Sequence, residues 1–297
     1  MQMQRPFRTF IGVDLGGGKG KTTAVVRLRL SGSGDKPLMV TDTGGGKPFF
    51  DDRLLTSIEE HCADAVVAID APLTLPVCVR CTLPTCPQLA TCTVDTIRWF
   101  RERTVETTGK PRYTPYTQRA TEVILQDQGI LPRETLGQGM GPLTARAAYL
   151  RQALRRSFQL NHNLLEVYPK ATLALLFPDP APPQPASAIR YRDAHGRPVS
   201  LTGKPIPLSL GSEVARTYKR SGHGPSVRER VLAALPELAF GPGQWREFVV
   251  KNDHIFDALI CAYTAYLWAR DGWQLPSDPV FQEDGFIWAP PRRSSSL

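Results

Sequence analysis

Phe10-Ile11-Gly12-Val13-Asp14 is an apolar run closed by a carboxylate, and across a glycine-rich turn, Gly16-Gly17-Gly18-Lys19-Gly20, it is followed by Thr23-Ala24-Val25-Val26-Arg27-Leu28-Arg29-Leu30. How this stretch is read decides the fold. Gly16 to Thr23 nearly spells the phosphate loop of nucleotide-binding proteins, but that pattern needs a glycine at position 15, where Leu15 stands. A phosphate loop must also open a helix whose N-terminus faces the phosphates. Here Val26, Leu28 and Leu30 alternate with Arg27 and Arg29, the period of a half-exposed strand. The stretch is therefore a strand, a turn and a second strand, with Lys19 and Lys21 at the turn.

Working outward, a third strand is expected at Pro37 to Thr41, a helix over 51–62, and a strand at 65–70. Val66-Val67-Ala68-Ile69-Asp70 is near-continuously apolar, as suits a strand covered on both faces. Three strands, a helix and a fourth central strand make the front half of an RNase H-like α/β fold, a mixed sheet flanked by helices. In that order the first and fourth strands are parallel neighbours, so Asp14 and Asp70 emerge at one sheet edge, where open sheets bind their ligands. Residues 72–140 read as a Cys-rich insertion or cap after the fourth strand. A helix is expected from Leu143 to Phe158, a strand at Leu164 to Tyr168 with a short helix after it, a helix near 226–236, and a helix from Asp253 to Ala269. The reading is one domain over 1–290, with a Pro-rich flexible loop at 178–208 and a disordered tail at 291–297.

Buried carboxylates are costly unless compensated. Two unit charges ~4 Å apart repel by about 4 kcal/mol at an effective dielectric near 20, and a divalent cation is the usual remedy. Asp257 stands among Ile255, Phe256, Ala258, Leu259 and Ile260, where helix capping cannot explain it, whereas Asp253, four residues earlier on the same helix face, reads as the cap or as a further ligand. Glu166 shares a strand face with Leu164 and Tyr168. Asp14, Asp70 and Asp257 are thus the candidate ligands of Mg²⁺ or Mn²⁺, with Glu166 completing the shell. Of five scattered histidines, only His254 is placed to approach them. The stretch Arg112, Tyr113, Tyr116, Arg119, Glu122 reads equally as a phosphate-contacting surface and as a solvated Arg-rich helix.

The formal charge of +8 permits a polyanionic partner without requiring one. No apolar stretch approaches the ~20 residues of a membrane span and the first residues carry no apolar leader, so a cytoplasmic, membrane-free protein is expected. Cys78, Cys81, Cys86 and Cys92 begin with a C-x2-C knuckle, which suits a closed tetrahedral zinc site, with an iron–sulfur cluster as the alternative and unliganded thiols as the plain reading. Cys62 and Cys261 read as small core residues.

Ile11-Gly12-Val13-Asp14-Leu15, Ile69-Asp70-Ala71-Pro72-Leu73-Thr74-Leu75-Pro76, Glu166-Val167-Tyr168-Pro169, Asp257 to Ala265 and Gly285-Phe286-Ile287-Trp288-Ala289-Pro290 occur in this order. Together they resemble the family catalogued as domain of unknown function 429, regarded as predicted nucleases with an RNase H-like fold. The resemblance runs from about 9 to 290, with little contribution from 178–245. It implies that Asp14, Asp70, Glu166 and Asp257 surround an active site which Arg119 and Glu122 also face, Arg119 neutralising a phosphate. The expected function is metal-dependent hydrolysis of phosphodiester bonds in DNA or RNA. The alternatives are a nucleotide-dependent phosphotransferase or ATPase using the glycine-rich hairpin, and a non-catalytic nucleic-acid-binding module.

Overall fold

The computed structural model describes residues 3–18, 22–31, 37–44, 50–105, 112–180, 199, 202, 210–241 and 244–291. Lys19 to Lys21, most of the expected 178–208 loop and the tail from 292 lie outside the described residues. In chain order the elements are β1 (Thr9–Asp14), β2 (Ala24–Leu30), β3 (Leu38–Gly44), α1 (Asp51–Glu59), β4 (Ala65–Asp70), α2 (Asp95–Arg103), α3 (Ala120–Asp127) and α4 (Gly141–Leu154). Then come β5 (Leu164–Val167), α5 (Pro169–Leu176), β6 (Asp179–Pro180), β7 (Leu210–Gly211), α6 (Glu213–Thr217), α7 (Gly224–Ala233), β8 (Leu238–Phe240), α8 (Trp245–Lys251), α9 (Asp253–Asp271), α10 (Val280–Glu283) and β9 (Ile287–Trp288).

Seven strands form one mixed sheet in the order β8-β3-β2-β1-β4-β5-β9, and β6 pairs with β7 separately. β1 is antiparallel to β2 and parallel to β4, as the alternation and the apolar run predicted. Because β2 pairs along β1, no helix follows the glycine-rich turn, and the phosphate-loop reading loses the element it requires. Arg146 of α4 holds that turn, donating to the Gly16 carbonyl at 2.5 Å and the Thr23 hydroxyl at 2.6 Å.

Side chains alternate across the sheet. Ile11, Val13, Val67 and Ile69 pack with Leu54 and Ile58 of α1 and Ala147, Leu150 and Leu154 of α4. Phe10, Val66, Ala68 and Leu165 face the other way, against α9, whose residues from Ile255 to Ala269 are all buried. Gly12 is what lets α9 lie so close, since a Cβ there would fall 1.9 Å from the Ala258 carbonyl oxygen and 2.4 Å from the Ala262 amide nitrogen.

Segment 72–140 contains α2 and α3, which composition alone did not foretell. They are held by distant partners: Trp99 and Phe100 cluster with Tyr113, Val123, Val280 and Phe281. Asn252, not Asp253, caps α9, its side chain accepting from the amides of His254 and Ile255. Cys261 is buried as expected, whereas Cys62 is exposed.

Candidate metal centre

Asp14 and Asp70 end β1 and β4 as direct register partners, so both carboxylates leave the same sheet face at the same edge. Asp257 reaches them from the N-terminal part of α9, placed there by the close approach over Gly12. The three carboxylates each offer an oxygen within 4.8 Å of the other two. Among the described residues this is the one set of three or more His, Cys, Asp or Glu side chains so arranged.

Burial pushes the Asp70 carboxyl well above the usual carboxylate range, and the charges of Asp14 and Asp257 add to it. Asp257 is pushed up to about 7, chiefly by burial; Lys219 opposes the shift and Asp14 reinforces it. Lys219 forms an ion pair with Asp257, and the Tyr218 hydroxyl lies beside the same carboxylate. Three converging carboxylates, an all-oxygen donor set that one lysine only partly neutralises, fit a hard cation. The three aspartates could therefore hold a metal ion.

His254 Nδ1 lies 2.6 Å from Asp14 Oδ2, and this hydrogen bond raises the imidazole pKa. It fixes the orientation of Asp14 and occupies one of its oxygens, the role commonly filled by groups behind a metal ligand. Lys219 was not legible as a site residue. It follows the short α6 in a segment of low periodicity, and only the packing of that segment against α9 brings it to Asp257.

The other expected site residues sit differently. Glu166 is in register with Ile69, so its side chain leaves the opposite face of the sheet from Asp14 and Asp70. It lines the cavity onto which Asp14 and Asp70 open, but its Oε2 accepts from the Leu73 amide and Arg119 at 2.8 Å each, and its Oε1 accepts from Arg119 at 2.5 Å. Arg119 also donates to Glu122 at 3.1 Å and to the Thr74 hydroxyl at 2.7 Å. Burial opposes the Arg119 charge, but Glu166, Glu122 and Asp284 more than offset it, and the guanidinium stays protonated. Glu122 is pushed up to about 7 by burial, against the pull of Arg119. Arg119 and Glu122 thus face the cavity wall as a fully buried ion network, with donors already committed, rather than as the solvated helix or the phosphate contact that the Arg-rich stretch allowed. Tyr113 is buried and stacked on Phe100, and Tyr116 is exposed.

Cys78, Cys81, Cys86 and Cys92 line one cavity of ≈ 200 Å³ together with Leu83 and Leu89. All are free thiols, and no three of their sulfurs lie within 4.8 Å of one another.

Asp14 and Asp70 open onto a cavity of ≈ 480 Å³ that Tyr168, Lys170, Arg216 and Lys219 also line. A family model described as "Protein of unknown function (DUF429)" matches residues 208–280, less than half of the chain, a stretch that contains Tyr218, Lys219 and Asp257. The resemblance read from the sequence is borne out there, including part of the segment, 208–245, that had contributed little to it. No curated protein and no solved structure matches the chain.

Proposed function

We propose that this protein is a metal-dependent nuclease on an RNase H-like frame, hydrolysing phosphodiester bonds of nucleic acid at the Asp14, Asp70 and Asp257 centre. One observation carries the reading: three carboxylates from distant parts of the chain converge within 4.8 Å, Asp257 among them fully buried. Such a cluster is self-repelling without a cation. Mg²⁺ or Mn²⁺ held by these three residues supplies an activated water and charge neutralisation at phosphate oxygens.

The remaining work falls to the chain. Asp14 is oriented by the hydrogen bond between its Oδ2 and His254 Nδ1. Lys219 partly neutralises the carboxylates and sits where a phosphate oxygen would enter. Arg119 and Glu166 hold the wall between β5 and α3 rigid, so the cavity keeps its shape. A cytoplasmic location belongs to the same proposal, supported by six cysteines of which none is joined in a disulfide. No helix among the described residues is long and apolar enough to cross a membrane.

The test is incubation of pure protein with labelled single- and double-stranded DNA and RNA, with Mn²⁺, Mg²⁺ or a chelator, and with ATP in parallel. Divalent-dependent cleavage is expected. ATP turnover without cleavage would favour the phosphotransferase alternative, and binding without either reaction would favour the non-catalytic module. For the four cysteines we propose structural Zn²⁺, supported by the C-x2-C spacing and the shared cavity. Elemental analysis of protein purified without added metal should find zinc; a visible absorption band would point to iron–sulfur, and neither metal would leave plain thiols.

A further inference from the structure

Besides Arg119, which is committed to Glu166 and Glu122, the cavity in front of Asp14 and Asp70 is lined by four cations: Arg133 in the loop after α3, Lys170 at the start of α5, Arg216 in α6, and Lys219 just beyond it. Lys219 is committed to Asp257. Arg133, Lys170 and Arg216 have no carboxylate partner among the described residues. Like charges gathered on one wall repel, and the repulsion is visible at Lys170. Although its side chain reaches solvent, its ammonium is held below the usual lysine range, first by desolvation at the wall and then by Lys219, Arg133 and Arg216. At Arg216 the Nε is buried and makes no hydrogen bond. A guanidinium N–H without an acceptor, beside two further unpaired cations, is a donor set that lacks its anion.

We propose that this wall is a binding subsite for the terminal phosphomonoester of a short single strand. Docking there sets a phosphodiester bond of the same strand at the aspartate centre. A phosphomonoester carries close to two negative charges at neutral pH and three acceptor oxygens, which matches three unpartnered cations better than an internal diester with a single charge. The size of the site points the same way. A cavity of ≈ 480 Å³ lies in the ~300–1,000 Å³ range of sites that enclose small ligands, so it admits the end of a strand and not the body of a duplex. Location of the cleaved bond rests on the nuclease reading; the phosphate subsite itself rests only on the cations and the cavity.

The test is binding in EDTA, where neither cleavage nor a metal-bridged phosphate contact can contribute. Fluorescence anisotropy would compare short single-stranded oligonucleotides ending in phosphate or hydroxyl, at the 5′ end in one series and the 3′ end in another, with inorganic phosphate as competitor. One phosphorylated series should bind about tenfold more tightly than its hydroxyl counterpart, the factor expected for a charge-assisted contact. Inorganic phosphate should remove that preference. The K170A/R216A double variant should lose the preference and lower the log–log salt slope by about 1.4, which corresponds to the two charges of the terminal phosphate on a single strand. Arg133→Ala, at an exposed loop position that cannot unfold the core, should give an intermediate loss. Calorimetric Mn²⁺ binding should be the same in all of them. Equal affinity for phosphate and hydroxyl ends, or a preference that survives in the double variant, would overturn the subsite. Cleavage in Mn²⁺ with no end preference would do so while sparing the nuclease reading. End preference in EDTA without cleavage in Mn²⁺ would support the subsite and sink the nuclease reading.

Discussion

Asp14 shows how a single carboxylate serves the whole centre, since it is hydrogen-bonded to His254 and has an oxygen within 4.8 Å of both other aspartates. Asp14→Asn keeps its size and removes its charge. Divalent-dependent cleavage should fall by orders of magnitude, while the melting temperature in chelator stays the same or rises, because one repulsive charge is gone. A variant that cleaves normally would remove Asp14 from the mechanism. The pH dependence follows from Asp257, raised from 3.8 in the unfolded chain to about 7 in the fold. Between those values the native protein holds a proton that the unfolded chain has released, so the native state binds more protons and stability falls as pH rises. The stabilising contribution is complete below the unfolded value and is lost as pH passes the folded one. In chelator, the melting temperature should therefore decline from pH 5 to pH 8, and Asp257→Asn should flatten the decline. At this scale the three aspartates were legible because each sat wrongly for its surroundings, at the end of an apolar strand or inside an apolar helix. His254 was legible only as a neighbour of Asp253, and Lys219 carried no signal at all.

At the scale of elements, the contact between β1 and α9 is what assembles the site. Gly12→Ala would drive a methyl group into the Ala258 carbonyl. Overpacking of this kind costs roughly 1–3 kcal/mol, and backbone atoms cannot rotate away, so a loss of about 3 kcal/mol is expected in urea unfolding, together with weaker Mn²⁺ binding as Asp257 is pushed off. Unchanged Mn²⁺ affinity would mean that α9 does not set the geometry. Parity decides the fate of Glu166. One strand away from Asp70, it pairs with Ile69 and so takes the other face, where Arg119 meets it. Arg119→Met would leave Glu166 and Glu122 buried without their cation and should cost about 3–5 kcal/mol. A loss below about 1 kcal/mol would show that the network is incidental. The strands and long helices were legible from period and apolar runs, because those patterns are local. α2 and α3 were not, since their stability comes from α10 and Tyr113, which lie far along the chain or out of period.

For the whole molecule, Asp14, Asp70 and Asp257 tie β1, β4 and α9 together, so a cation bound there stabilises the native state alone. Mn²⁺ at about 100 times its dissociation constant should add about 2.7 kcal/mol, seen as a melting temperature higher by several degrees, and Asp14→Asn should abolish the gain. An equal gain in the variant would place the ion elsewhere. What the amino-acid sequence determined by itself was the order of the central strands, the choice of a β-hairpin over a phosphate loop after Asp14, and the three aspartates. Each of these rests on hydrophobic period or on a charge out of place, both of which are properties of short segments. What only the tertiary structure decided was the company those residues keep. Register sent Glu166 to Arg119, the close approach over Gly12 delivered Asp257, and the turn after α6 brought Lys219. Arg133, Lys170 and Arg216 came to one wall in the same way. Contacts between segments so far apart leave no periodic trace in either of them, because they depend on how whole elements pack and not on the pattern within one.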